Sequence, residues 1–189
     1  LPESFSKLTR LQKMILHCSS SSPPPEIWRL SAIRGLKLRV NNFYRIPESI
    51  ERLSHLTSLG LSFNKLTEIP KEIGQLSKLE ELFLQDNKLS TLPQEIGLLS
   101  ELQVLQLYDN PLTSLPLEIK KCKKLERLGI NKKILAKLPK EIIEFKLHID
   151  TYRSIIYKST STMNPHIIIK ESTPQGLPFF LLKFPDLIR

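Results

Sequence analysis

The chain has few of the residues that mark several common classes of protein. Its 189 residues include only two cysteines, six glycines and one tryptophan. Two cysteines do not make a disulfide framework, and without a CxxC pair the usual zinc-binding spacing is missing. No Asn-x-Ser/Thr sequon occurs, so nothing in the sequence indicates N-glycosylation. No apolar run approaches the roughly 20 residues that cross a bilayer.

Patterns that carry catalysis or cofactor binding are also missing. The four histidines, His17, His55, His148 and His166, form no HxxxH pair, and the glycines are too scattered for a phosphate-binding loop. No GxSxG nucleophile motif is present. We therefore expect no enzymatic activity, no catalytic residues, no metal and no cofactor.

What the chain does have is a repeat of 23 residues. Five prolines keep this interval, at positions 47, 70, 93, 116 and 139. Apolar residues recur at fixed offsets from them, and so does one asparagine in each unit: Asn41, Asn64, Asn87 and Asn110. Units of roughly 20–29 residues with the pattern LxxLxLxxNxL predict a solenoid in which each coil supplies one strand and one return segment.

Within each unit, the strand positions alternate between core and surface. In the unit at 81–85, Leu82 and Leu84 point inward, whereas Glu81, Phe83 and Gln85 point outward. Stacked strands form a parallel sheet on the concave side, and the proline-containing segments return along the convex side as extended or short helical pieces. We therefore predict an α/β repeat solenoid.

The repeated asparagines have a structural explanation. The chain turns sharply after each strand, which leaves backbone groups unpaired inside the turn. A buried amide side chain supplies donors and an acceptor for those groups. We expect Asn41, Asn64, Asn87 and Asn110 to form a ladder along the stack, which stops where Lys133 replaces the asparagine.

The period divides the chain at about residue 150. We expect about six to seven coils in 1–150, with a last strand over 146–150 that sets His148 beside Gly129. Residues 151–189 lose the period and contain the apolar run from Leu177 to Leu182. Because a solenoid exposes its core at each end, we interpret this segment as a terminal cap. A partner-binding appendage is the alternative.

The repeats resemble the short leucine-rich repeats of bacteria and plants, with the consensus LPxxIGxLxxLxxLxLxxNxLxx. The match is best from Leu92 to Asn110, and the phrases LPQEIG and IPKEIG resemble those of spirochaete leucine-rich repeat proteins. The resemblance implies an exported protein that engages host or cell-surface proteins and is associated with virulence. Similar repeats also occur in cytosolic scaffolds, and the chain opens at Leu1 without a recognisable leader, so the compartment stays open.

The centre of the concave face is the predicted binding site. Apolar or aromatic residues occupy outward positions of adjacent strands there, with polar residues around them. The candidate protein-binding residues are Glu81, Phe83, Gln85, Val104, Gln106, Tyr108 and Arg127. Phe83 and Tyr108 are the expected anchors, because aromatic side chains most often anchor interfaces. A random scatter of exposed apolar groups is the alternative.

Charge is distributed unevenly along the chain. The net charge is +5 over residues 1–50, −4 over 51–116 and +8 over 117–189. The basic run Lys120–Lys124 fits phosphate or anionic lipid, but no aromatic residues alternate with its lysines, so we expect no nucleic-acid partner. We favour a module that binds a protein ligand. The alternatives are a targeting or scaffold region of a larger enzyme or signalling protein, and a basic surface for anionic lipid or glycan.

Truncation tests the interpretation of the last segment as a cap. If residues 152–189 cover the core, a chain that ends at Thr151 exposes apolar side chains and aggregates or dimerises. Size-exclusion chromatography and thermal melting, with the full chain as control, measure this. A monomeric truncated chain with an unchanged melting temperature would show that the segment is an appendage.

Overall fold

The fold consists of parallel strands that stack one after another along the chain. The computed structural model describes residues 8, 10–18, 20–135, 137–138, 142, 148–150 and 167–170. Eight strands form one sheet: β1 Lys13–His17, β2 Gly35–Lys37, β3 Ser58–Gly60, β4 Glu81–Phe83, β5 Val104–Gln106, β6 Arg127–Gly129, β7 His148–Asp150 and β8 Ile167–Lys170. Their order in the sheet is β7-β6-β5-β4-β3-β2-β1-β8. From β1 to β7, each strand therefore pairs with the next strand in sequence, as a solenoid requires.

The return segments contain short 3₁₀ helices at a constant place in the repeat. They span Pro25–Arg29, Glu48–Arg52, Lys71–Gln75, Gln94–Leu98 and Leu117–Lys121. A four-residue helix α1, Lys132–Leu135, follows β6. The predicted α/β repeat solenoid is thus confirmed, with convex returns that are mainly 3₁₀-helical.

The return after Pro93 explains why these helices form. The amide of Ile96 donates to the carbonyl of Pro93 (3.1 Å), Leu99 donates to Ile96 (3.2 Å) and Leu102 donates to Leu99 (3.2 Å). Three residues separate successive members of this series, which is one turn of a 3₁₀ helix. Ile96, Leu99 and Leu102 consequently point to the same side, and all three are fully buried.

The core lies between the sheet and these returns. Leu82 and Leu84 of the fourth coil are fully buried, as are their equivalents Leu59, Leu61, Leu105 and Leu107 in the neighbouring coils. Alternation along the strand therefore sends every second side chain into one continuous apolar core.

Two glycines in the returns allow adjacent coils to approach closely. A Cβ atom at Gly74 would lie 2.7 Å from the carbonyl oxygen of Glu95, and one at Gly97 would lie 2.5 Å from that of Glu118. Both contacts are with backbone of the next coil, which cannot move aside cheaply. The glycine of the IPKEIG and LPQEIG phrases is thus explained by coil-to-coil packing.

Asn87 shows how the repeated asparagines hold the coils together. Its side chain is 2% exposed. Its Nδ2 donates to the carbonyls of Leu84 in its own coil (2.9 Å) and Leu61 in the preceding coil (3.0 Å), while its Oδ1 accepts from the amide of Leu66 (3.0 Å). Asn64 and Asn110 make the equivalent bonds, and Asn41 bonds in the same way to its own coil and the preceding one but with carbonyl and amide partners at slightly different offsets.

Other residues complete the two ends of this ladder. At the first coil Cys18 occupies the asparagine position, and its amide donates to Oδ1 of Asn41 (2.5 Å). At the last, Asn131 accepts from the amide of Asp109 (3.1 Å) and donates to the carbonyl of Asn110 (3.4 Å). The position at which we expected the ladder to stop, Lys133, lies in α1 and is exposed.

The predicted register of the last strand is wrong by two residues. His148 pairs with Arg127, and Asp150 pairs with Gly129, whereas we expected His148 beside Gly129. A shift of two keeps the same side chains on the same face, so alternation alone cannot detect it. Residues 146 and 147 of the predicted strand lie outside the described residues.

Of the segment after residue 150, the structure describes β8, which pairs in parallel with β1. Residues 151–166 and 171–189, including the run from Leu177 to Leu182, lie outside the described residues. The division of the chain at 150 and the role of 151–189 as a cap or an appendage therefore stay predictions.

Removal of one ladder amide should lower stability more than removal of an exposed one. Asn87→Ala leaves several buried backbone groups without partners, which costs about 1–3 kcal/mol. Asn42→Ala is the matched control, because Asn42 lies one residue beyond the ladder position and is exposed. Chemical denaturation of both variants measures the difference, and equal free energies of unfolding would contradict the role assigned to Asn87.

Cys122 gives the solenoid a pH-dependent component of stability. It replaces the leucine of earlier coils in the core, is fully buried and donates through Sγ to the carbonyl of Ile96 (3.2 Å). Burial raises the pKa of its thiol from 9.0 to about 11. Below pH 9 the folded and unfolded states both keep the proton, and above it the unfolded state loses its proton first.

Stability should therefore fall between about pH 9 and pH 11, by an amount on the order of 3 kcal/mol for Cys122 alone. Cys122→Val keeps a buried apolar group of similar size without a titrating thiol, and its melting temperature should fall less over the same interval. Other groups that titrate there are common to both proteins. Parallel pH curves for the two would refute the assignment to Cys122.

Candidate functional site

Strand register places the outward side chains in rows that run across the coils. One row crosses the first residues of β2 to β6: Gly35, Ser58, Glu81, Val104 and Arg127. A second crosses their last residues: Lys37, Gly60, Phe83, Gln106 and Gly129. Sequence reasoning assigned these rows correctly from β2 to β6, because the 23-residue period is unbroken there.

The predicted site residues differ widely in exposure. Arg127 is exposed, whereas Glu81, Phe83, Gln85 and Val104 are half-buried. Tyr108 is 7% exposed and Gln106 is 1% exposed. The expectation that Tyr108 and Gln106 stand accessible on the concave face is therefore wrong.

Gly129 explains much of this difference. It lies beside Gln106 in the sheet and has no side chain. A Cβ atom there would lie 1.8 Å from Oε1 of Gln106 and 2.6 Å from Cε2 of Tyr108, so both side chains of the fifth coil lie over Gly129. Sequence reasoning placed each side chain on the correct face. It did not consider that side chains beside a glycine can lie over it, against the sheet.

The amide side chain of Gln106 is consequently buried without the hydrogen bonds that a buried polar group usually makes. Within the described part of the chain, neither Oε1 nor Nε2 of this side chain has a hydrogen-bond partner. A buried amide without partners is destabilising, so this position over Gly129 lowers the stability of the fold.

Phe83 is the large apolar side chain that keeps partial exposure in the middle of the second row. Its neighbour on one side is Gln106 and on the other Gly60. Gly60 is buried, and the nearest atoms to a Cβ atom built there belong to Lys37, from 3.5 Å, so the Lys37 side chain lies beside Gly60. A cation and an aromatic ring thus flank a strand position that has no side chain of its own.

The first row supplies charge beside Phe83. Glu81 accepts a hydrogen bond from Oγ of Ser58 on the adjacent strand (2.9 Å), which fixes the carboxylate over the sheet. Arg127 lies two strands further on, with Val104 between them. A negative and a positive group thus flank an apolar one in this row.

The lysine run from 120 to 124 lies away from this face. Lys120 and Lys121 are exposed at the end of a convex 3₁₀ helix. Lys124 forms an ion pair with Glu101 of the preceding coil, with 2.6 Å between Nζ and Oε2. These lysines therefore cover the convex side of the stack rather than the candidate site.

Sequence reasoning missed five exposed large apolar side chains among the described residues. Val40 is 56% exposed, Tyr44 49%, Phe63 43%, Leu98 54% and Leu117 47%. Val40 and Phe63 each precede a ladder asparagine, at the point where the chain leaves the strand. Their shared position in the repeat was visible in the sequence, but the outward rows considered there ended one residue earlier.

Two further findings concern chemistry and membranes. Within the described residues, no group of three or more His, Cys, Asp or Glu side chains is arranged to hold a metal ion. Among the helices that the structure describes, none combines the length and the apolar character of a membrane span.

Comparison with known proteins identifies the repeat. A family model for the leucine-rich repeat matches residues 31–89 and 54–112. A search of the curated proteins finds no match. Among solved structures, a leucine-rich repeat protein of Leptospira interrogans is 39% identical, with a TM-score of 0.71 over 79% of this chain and 39% of that one.

Two plant receptors are also similar. The ectodomain of the Arabidopsis thaliana receptor kinase GASSHO1/SCHENGEN3, in complex with CASPARIAN STRIP INTEGRITY FACTOR 2, is 29% identical, with a TM-score of 0.66 over 79% of this chain and 19% of that one. The peptide hormone receptor RGFR1, in complex with RGF2, is 34% identical, with a TM-score of 0.59 over 74% and 26%. The chain thus spans well under half of each similar protein. The period, the asparagine ladder, the family model and these structures together identify the chain as a leucine-rich repeat protein similar to that of a spirochaete.

Proposed function

We propose that this chain is a non-enzymatic recognition module that binds a segment of another protein on its concave face around Phe83. The observation that carries the proposal is the half-buried Phe83 side chain on the outward face of β4, in the same row as Lys37 and close to the half-buried Val104 of the adjacent strand. A partly exposed aromatic side chain can contact an apolar side chain of a ligand, and such contacts dominate binding energy at interfaces.

The neighbouring charges support a peptide-like ligand. Lys37 lies in the same row as Phe83, beyond Gly60, while Glu81 and Arg127 lie in the adjacent row. A protein segment laid across the strands would meet these groups in succession and would be held in one direction by them.

The similar structures support the same class of ligand. Both plant receptors are seen in complexes, one with an integrity factor and one with RGF2. Leucine-rich repeats are commonly binding modules, and repetition of one coil gives a long surface for this purpose. The similarity to the Leptospira interrogans protein extends the proposal to an exported bacterial protein whose ligand is a host or cell-surface protein.

Tyr108, which the sequence predicted as an anchor, is not an anchor in this proposal. Because it is 7% exposed and lies over Gly129, truncating it would alter the sheet surface rather than a ligand contact. The proposed anchor is Phe83 alone, with Val104 beside it.

A peptide library provides a test that needs no known ligand. Random 12-residue peptides displayed on phage are selected on the wild-type chain, and the dissociation constants of enriched peptides are measured by calorimetry. Phe83→Ala should weaken those that bind the concave face by roughly 30-fold, as expected for loss of a binding hot spot. Lys120→Ala combined with Lys121→Ala is the control and should leave affinity unchanged.

The melting temperature of Phe83→Ala must stay close to that of the wild type for the comparison to hold, and Phe83→Leu serves as the variant that keeps an apolar group. If the lysine pair alters affinity and Phe83→Ala does not, the binding surface is electrostatic and convex. Affinity that collapses between low and moderate salt would favour that alternative too.

A further inference from the structure

Gln106 carries an amide on the concave face that the fold does not use. It is 1% exposed, and within the described residues neither Oε1 nor Nε2 has a hydrogen-bond partner. Its place in the sheet is fixed, because β5 pairs with β4 on one side and with β6 on the other. A buried polar group without partners is uncommon in a folded protein, so this one requires an explanation.

The ladder asparagines show what an amide with a structural role does in this protein. Nδ2 of Asn110 donates to the carbonyls of Leu84 (2.9 Å) and Leu107 (3.1 Å), and its Oδ1 accepts from the amide of Leu89 (3.0 Å). Both atoms of that amide are therefore engaged by backbone. Gln106 lies four residues earlier in the same coil and has the same kinds of donor and acceptor, but makes none of these bonds.

The amide of Gln106 lies over Gly129, which adds no side chain to its row. A Cβ atom at Gly129 would overlap Oε1 of Gln106, so this oxygen lies against the outward face of β6. Cε2 of Tyr108 would lie 2.6 Å from the same Cβ atom. The amide is thus on the concave surface of the sheet and outside the leucine core, although neighbouring side chains cover it.

An amide in this position can turn toward a ligand without breaking a hydrogen bond. In the free protein it is shielded from water and bonds to no protein group, which is unfavourable. A ligand that supplies both a donor and an acceptor removes this cost. A bond between the ligand and Gln106 is therefore not offset by the loss of a bond within the protein.

The chemistry of the amide selects the group that it can bind. A carboxylate only accepts and would leave Oε1 unsatisfied, whereas an ammonium group only donates and would leave Nε2 unsatisfied. A second amide offers one N–H and one carbonyl, so it satisfies both atoms of Gln106 at once. A protein segment presents such a group at nearly every residue of its main chain.

Phe83 would bring the main chain of a ligand close to Gln106. The two residues are paired in register on adjacent strands, whose backbones lie about 4.8 Å apart. Successive Cα atoms of a ligand are about 3.8 Å apart, so a ligand side chain on Phe83 carries its own peptide groups into the neighbourhood of Gln106.

We infer that Gln106 is a specificity-determining residue of the concave site, which turns away from Gly129 and hydrogen-bonds a main-chain amide of the bound segment. The inference rests on the proposed binding of a protein segment at Phe83. Phe83 supplies apolar contact with a ligand side chain, whereas Gln106 requires a correctly placed peptide group, whatever side chains the ligand carries.

The stability of Gln106→Met shows whether the fold needs the amide. Methionine is unbranched, adapts to irregular space and has no amide to leave unsatisfied. The melting temperature should stay the same or rise by about 2–4 °C. Gln106→Leu is a second apolar replacement of different shape, and a fall of about 4 °C or more in both variants would overturn the inference.

Binding is measured on the enriched phage-displayed peptides whose affinity Phe83→Ala lowers. Gln106→Met should raise their dissociation constants at least tenfold, because the ligand loses both hydrogen bonds to the amide. Gln75→Met is the matched control, since it makes the same change at an exposed position of a convex helix, and it should leave the dissociation constants unchanged.

Ester replacement of single peptide bonds in these ligands identifies the group that Gln106 contacts. Each ester keeps a carbonyl and removes one main-chain N–H. At one position the ester should weaken binding to the wild type and have little further effect on binding to Gln106→Met, because the partner of that N–H is already gone.

The outcomes separate this inference from the proposed function. If Phe83→Ala weakens binding and Gln106→Met does not, the concave site stands and the role of Gln106 is refuted. If Gln106→Met weakens binding but no ester position is coupled to it, recognition of the main chain is refuted. If no enriched peptide responds to either variant, the proposed function and the inference both fall.

Discussion

The buried amide of one asparagine in each coil is the interaction on which the rest of this structure depends. Asn87 joins its own coil to the preceding one through carbonyls 23 residues apart, Leu84 and Leu61, and it also holds the amide of Leu66. These bonds fix where the chain turns after the strand. Every outward side chain takes its place from that turn, because the register of the strands is set once the turns are aligned.

The same alignment accounts for the candidate surface. The concave rows exist because equivalent strand residues pair across coils, as Gly60 does with Phe83. The alignment also holds the residue before each ladder asparagine in one left-handed backbone conformation, as at Val40 and Phe63. Within this frame, a coil can change its outward residues while its inward leucines and its asparagine stay constant.

The fold was almost fully predictable from the sequence, since a 23-residue period fixes the inward and outward positions together. The predictions that were wrong concern effects that depend on a neighbouring residue in space. The burial of Tyr108 and Gln106 follows from the missing side chain of Gly129, which no rule for a single strand contains. The register of β7 was wrong because a shift of two preserves the pattern of faces. The strain at Val40 is a backbone property, invisible until the φ angle is known.

The central strands are only three residues long, as in β2 to β6. Each such strand offers two outward side chains, too few to recognise anything alone. A ligand of the proposed concave site would therefore have to cross several coils, and it would contact positions that recur every 23 residues in the sequence. One substitution in one repeat changes one of these outward positions and leaves the others intact. New specificities can thus arise by recombining whole repeats, without redesign of a single folded unit.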